Sequence, residues 1–148
     1  MQHSMMVTQS VWIDAPPERV WQAITDVQQL EKWYALGCRW DFPSVRVGEM
    51  VQFYNTDTDI LTATVDAADT PTLLTLRWQP DADDPAFSQV TDYRLEAENG
   101  GTRITMSEDG YEVLPDGLRL ERIDQGNGAY AGALANLKRL LEGGDHGP

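Results

Sequence analysis

Among the residues whose type and position could do chemistry, Glu108 stands first. It follows Ile104 and Met106 at a spacing of two, so in an extended strand its carboxyl shares their face. An inward carboxylate is costly unless it is paired, protonated or wet. It could serve as a polar anchor, or as a general acid or base inside a cavity. The alternative is that the strand ends or bulges before Gly110 and Glu108 reaches solvent. Aromatic residues are the natural companions of such a group, because apolar pockets are lined by them together with a few polar side chains. The set is Trp33, Trp40, Phe53, Trp78, Tyr93, Tyr111 and Tyr130, and ordinary core packing accounts for most of it. Trp33, Trp78, Tyr111 and Tyr130 fall at the ends of predicted elements, facing a long helix, and are expected to line a cavity. With Met106 beside Glu108 on the strand and Leu134 on the helix, the expected ligand-binding set is Trp33, Trp78, Met106, Glu108, Tyr111, Tyr130 and Leu134.

Other chemistries find less support. His3 and His146 are the two histidines, and both lie in terminal tails. A Ser-His-Asp or Cys-His site needs a fixed, oriented imidazole, and a zinc site of His and Cys fails for the same reason. Asn55, Asp57, Asp59 and Asp66 mimic positions 1, 3, 5 and 12 of a calcium loop, but Ile60 stands where glycine is required and Asp66 falls inside a predicted strand. Asp81, Asp83 and Asp84 read as a solvated loop. No metal and no cofactor is implied. Cys38 is the single cysteine, so no intrachain disulfide can form and a reducing, cytoplasmic setting is expected. The net charge of −13 repels phosphate backbones and anionic lipid, which makes nucleic acid and membrane poor partners. No apolar run approaches the roughly 18 residues of a membrane span, and no signal peptide is recognisable.

The elements that must position these residues can be read from periodicity. A strand is predicted from Val7 to Asp14, then a helix entered at Pro16-Pro17-Glu18 and running to about Thr25. Thr25 or Asp26 can cap a second short helix carrying Val27, Leu30 and Trp33, ended by Gly37. Period-two segments follow around Cys38–Phe42, Val51–Tyr54, Ile60–Ala67 and Leu73–Trp78, with turns at Val47-Gly48-Glu49 and Pro71. The stretch from Pro80 to Pro85 is an exposed acidic loop. A hairpin then turns at Asn99-Gly100-Gly101. From Asp116 the period becomes helical, with Tyr130, Leu134, Leu137 and Leu141 in one stripe widened by Ala133 and Leu140. Gly126 and Gly128 predict a break or a late start of this helix, and Gly143-Gly144 its end. With 148 residues, 41% of them apolar, the chain suits one domain: residues 1–7 as an N-terminal extension or tag scar, 8–142 as the domain, 143–148 as a disordered tail.

Antiparallel strands with one apolar face need a cover. Two short helices, a run of strands and one long helix give the order of an α+β helix-grip fold, a curved antiparallel sheet around a C-terminal helix. Here the chain resembles the START-like (SRPBCC) superfamily of birch-pollen allergens and polyketide cyclases, and within it the heat-shock protein 90 ATPase activator homologue domain. The likeness is carried by residues 14–21 (Asp14-Ala15-Pro16-Pro17-Glu18-Arg19-Val20-Trp21), by Lys32-Trp33-Tyr34 and by Val47-Gly48-Glu49. It continues in Leu73 to Trp78, Gly100 to Met106 with Gly110-Tyr111, and Leu134 to Glu142. It covers about residues 8–142. One departure is that Gly128-Ala129-Tyr130 stands near where the family often has Gly-Trp opening the last helix.

The resemblance implies a cavity between sheet and helix, in a fold that hosts several functions. Binding of a small hydrophobic or aromatic molecule is the leading expectation. The alternatives are a chaperone-interacting protein, as the family name suggests, and a cyclase- or hydrolase-type enzyme using Glu108, a tyrosine and Arg77. Enzymatic activity is left open, with binding preferred. A homodimer and a chaperone partner are the other associations left open.

Overall fold

The computed structural model describes residues 6–34, 39–80 and 88–143. Expectations for residues 1–4, His3, Gly37, Cys38, the acidic cluster Asp81, Asp83 and Asp84, Gly144 and His146 lie outside these residues. Strand β1 spans Val7–Ile13, beginning one residue before the expected domain boundary, with Val7 fully buried. Helix α1 (Pro17–Thr25) has proline at its first position and Glu18 in its first turn, which complements the helix dipole. It buries Val20, Trp21, Ala23 and Ile24. Asp26 caps α2 (Val27–Trp33), its carboxylate accepting the Gln28 N–H at 3.0 Å.

Five strands then run as a meander after β2 (Arg39–Asp41): β3 (Met50–Tyr54), β4 (Ile60–Asp69), β5 (Leu73–Trp78), β6 (Val90–Glu98) and β7 (Gly101–Asp109). Among the described residues the seven strands form one antiparallel sheet in the order β1-β7-β6-β5-β4-β3-β2. A register shift between Val65 and Ala67 interrupts the β4–β5 ladder, the kind of irregularity that bends a sheet. The hairpin turn is two residues long rather than three. Asn99 (φ 49°) and Gly100 (φ 80°) both take positive φ, as a two-residue turn with the strands' own twist requires. Gly101 already belongs to β7 and pairs with Glu98.

A 3-10 turn over Tyr111–Val113 leads to α3 (Asp116–Leu141), the helix that the sheet grips. The predicted break at Gly126 and Gly128 is absent, and α3 is continuous for 26 residues. Its stripe begins earlier than expected, at Ile123, and continues through Tyr130, Ala133, Leu134 and Leu137, while Leu140 and Leu141 are only partly buried. Propensity against Gly126 is overridden by packing. A Cβ there would lie 2.6 Å from a methyl of Val7, so glycine lets the helix approach β1. The C-terminal turn of α3 is tied to the β1–α1 corner. Lys138 Nζ donates to the Trp12 carbonyl at 2.7 Å, and Glu142 accepts the Asp14 N–H at 2.8 Å. This is a helix-grip fold. Among the described residues no helix is long and apolar enough to cross a membrane.

Candidate functional site

The alternation of β7 continues to its end. Thr102, Ile104 and Met106 are buried, and Glu108 points the same way as a half-buried side chain. Gly110, at φ 104°, reverses the chain directly after the strand, and a Cβ there would meet the Ser88 carbonyl oxygen at 2.3 Å. That reversal returns Tyr111 to within hydrogen-bond reach of Glu108, three residues earlier.

Four donors converge on the carboxylate. Oε1 accepts the amide of Gln89 at 3.0 Å and the hydroxyl of Tyr111. Oε2 accepts the hydroxyls of Thr91 at 3.1 Å and Tyr130 at 3.0 Å. They come from the residue before β6, from β6, from the 3-10 turn and from α3, and together they meet the acceptor capacity of an ionised carboxylate. Thr91 lies directly opposite Glu108 in the β6–β7 ladder. It is buried, and its oxygen also accepts the indole N–H of Trp78 at 3.0 Å. The Gln89 amide additionally reaches the Tyr111 oxygen at 3.1 Å.

Two cavities flank this network between sheet and helix. One, of about 600 Å³, is walled by Trp33 and Tyr34 at the end of α2, Phe53 and Asn55, and the Gly128–Asn136 stretch of α3, including Tyr130. The other, of about 570 Å³, has Tyr34, Phe53, Ile60, Leu61 and Trp78 as its apolar walls, with Gln89 and Glu108 among its polar ones and Arg122 contributed by α3. Tyr34 and Phe53 are common to both, and their rings meet edge to face at 5.9 Å. Ile60 and Leu61 are exposed.

The electrostatics follow from the burial. Tyr34, Tyr93, Tyr111 and Tyr130 are all held above the ordinary phenol value of 10.0, chiefly by burial. The negative charge of Glu108 is the next cause for Tyr34 and Tyr111, and the neighbouring Tyr34 for Tyr93 and Tyr130. These phenols stay protonated at neutral pH.

Of the expected set, Trp33, Trp78, Glu108 and Tyr130 lie on cavity walls, and Tyr111 is brought in through its bond to Glu108. Met106 and Leu134 are buried in the core and stand on neither wall. Arg77 points to the outer face, exposed and paired with Asp66 at 2.7 Å. Asp66 is therefore committed within β4, while Asp59 accepts from Asn55 at 3.0 Å. Among the described residues no group of three or more His, Cys, Asp and Glu could hold a metal ion. Among the residues missing from the expected set are Tyr34, Gln89 and Thr91, together with the wall residues Phe53 and Arg122. Counting outward from the observed two-residue turn at Asn99-Gly100 places Thr91 opposite Glu108, a pairing that the three-residue turn read from the sequence would have missed.

The comparisons with known proteins agree with this architecture. No curated protein matches the chain. Protein MLL2253 from Mesorhizobium loti superposes with a TM-score of 0.80 at 25% identity, over 95% of this chain and 98% of that one. The Aha1 dimer from Colwellia psychrerythraea gives 0.76 at 19% identity, over 96% and 99%. DynU16, a protein of the dynemicin biosynthetic locus, gives 0.76 at 20% identity, over 96% of this chain and 49% of that one. The family model described as activator of Hsp90 ATPase homolog 1-like protein matches residues 14–142. That span reaches from the corner after β1 through the end of α3, and the chain belongs to this family, within the START-like superfamily.

Proposed function

We propose that the chain binds a small hydrophobic or aromatic molecule between the sheet and α3, with the Glu108 network as the polar end of the site. The observation that carries this is a carboxylate set among aromatic cavity walls and held by four donors from separate parts of the chain. Replacing such a buried polar cluster with apolar side chains is often neutral or stabilising, so the cluster is not accounted for by stability alone. The same saturation supports anchoring over general-base catalysis, since Glu108 could accept a further proton only by releasing a donor already in place. The exposed Ile60 and Leu61 give the second cavity an apolar rim.

The test is native mass spectrometry of freshly purified protein before and after organic extraction, followed by titration with a fluorescent apolar dye. Saturable, one-to-one binding that a co-purified or added small molecule displaces is the expected result. A folded protein that binds no apolar probe overturns the proposal.

A second function, docking on a chaperone, is favoured by the family match and by the likeness to the Aha1 dimer. Direct binding to purified Hsp90 with no small-molecule binding would select it. Sedimentation would show whether the chain forms a homodimer.

A further inference from the structure

Satisfying the lone pairs of a carboxylate does not cancel its charge. The four donors on Glu108 are one amide and three hydroxyls, all of them neutral. Among the described residues the ion pairs are Arg77–Asp66, Arg103–Glu98, Arg119–Asp116 and Lys138–Glu142, and Glu108 stands in none of them. A half-buried negative charge is thus left without a counter-ion of the protein's own. Its field crosses the hollow: burial is the main cause of the raised phenols of Tyr34, Tyr93, Tyr111 and Tyr130, and the charge of Glu108 reaches all four. On the second cavity Glu108 shares the wall with the rings of Tyr34, Phe53 and Trp78, and Asp59 adds another carboxylate. Aromatic faces attract cations through the ring quadrupole.

We propose that the second cavity takes an organic cation, a quaternary or protonated amine on a small apolar or aromatic body. Glu108 supplies the counter-charge, and Tyr34, Phe53 and Trp78 supply the faces. Charge is the selecting feature, so a cation without any N–H qualifies. The neutral side chains of this wall, such as Thr62 and Gln79, can turn either a donor or an acceptor to a ligand and do not select a sign. Arg122 opposes the two carboxylates with one positive charge, but it is exposed, so water and salt screen it more than they screen Glu108. The chain as a whole carries −13, a field that draws cations in and turns anions away. The inference rests on the proposed ligand site and specifies the charge of its occupant.

The experiment titrates three probes into the full chain and follows them by NMR: benzyltrimethylammonium, benzylsulfonate and neopentylbenzene. They share a ring and a compact tetrahedral head, which is positive, negative and neutral in turn, and none of them donates a hydrogen bond. Both charged probes lose hydration on entering the cavity, so their ratio reads the sign of the site. Wild type should bind the ammonium at least about tenfold more tightly than the sulfonate, and in Glu108→Gln that ratio should fall by about tenfold. In wild type the N-methyl protons should show intermolecular NOEs to the rings of Phe53 and Trp78. No preference for the ammonium, with saturable binding of neopentylbenzene, overturns the cation and leaves the ligand site standing. An unchanged ratio in folded Glu108→Gln overturns the role of Glu108. Where that variant does not fold by thermal melt, the NOEs decide, and methyls that touch neither ring overturn the proposal. Saturable binding of none of the three probes overturns the ligand site and its charge together.

Discussion

At the scale of single residues, Glu108 was legible because side-chain alternation is a strict rule of strands and β7 keeps it to its last turn inward. Its partners were legible only in part. Tyr111 and Tyr130 are read from their place at element ends facing the long helix, whereas Thr91 follows only from the two-residue turn that the structure shows. Gln89 and Tyr34 carry no periodic signal, because each lies just outside a regular element and is positioned by tertiary contacts. The four raised tyrosines have a consequence for pH. Their folded pKa values exceed the unfolded 10.0, so the native state holds protons that the unfolded state releases. Their contribution is complete below pH 10.0 and is lost as pH rises from there toward the folded values. Thermal melts across alkaline pH should show stability falling above that point, with tyrosinate absorbance rising together with unfolding. Tyr93→Phe, which removes a buried phenol at little change in shape, should flatten the slope. Four phenols that titrate freely in the folded protein would contradict the burial.

At the scale of elements, α3 shows where sequence pattern and packing part company. Glycine is a poor helix residue by about 1 kcal/mol relative to alanine, which is why Gly126 and Gly128 predicted a break. The helix persists because it lies against β1 and α2, and tertiary packing supplies most of a helix's stability in a protein. The glycines of α3 are therefore not equivalent. Gly117 has open space around the position of a Cβ, so Gly117→Ala should stabilise by about 0.5–1 kcal/mol. Gly126→Ala should instead destabilise by about 1–3 kcal/mol, since its methyl would collide with the stiff, fully buried Val7. Paired denaturant titrations read both. A stabilised Gly126→Ala would mean that β1 yields easily to the helix.

At the scale of the whole molecule, the sheet order places β1 and β2 at opposite edges, bridged by α1 and α2, with α3 filling the hollow. That much was legible in the order of elements, whereas the division of the hollow into two cavities by Tyr34 and Phe53 was not. Tyr130, Leu134 and Leu137 bury the face of α3, each contributing about 1.5–3 kcal/mol. Their sum is comparable to the total of about 5–15 kcal/mol expected for a domain. Deleting residues from Gly128 onward should leave an aggregating or molten chain, and deleting those after Gly143 should leave the melt unchanged. A cooperative, near-wild-type transition in the longer deletion would show that the helix is peripheral. The pairing of Val7 with Glu108 carries a further consequence, for synthesis. β1 takes its place beside β7 and against α3, the strand and helix that close this domain and that are synthesised after its other strands and helices. The domain cannot close until α3 has been made, and the long loop between β1 and β7 carries an entropic cost that slows folding relative to a chain of local contacts.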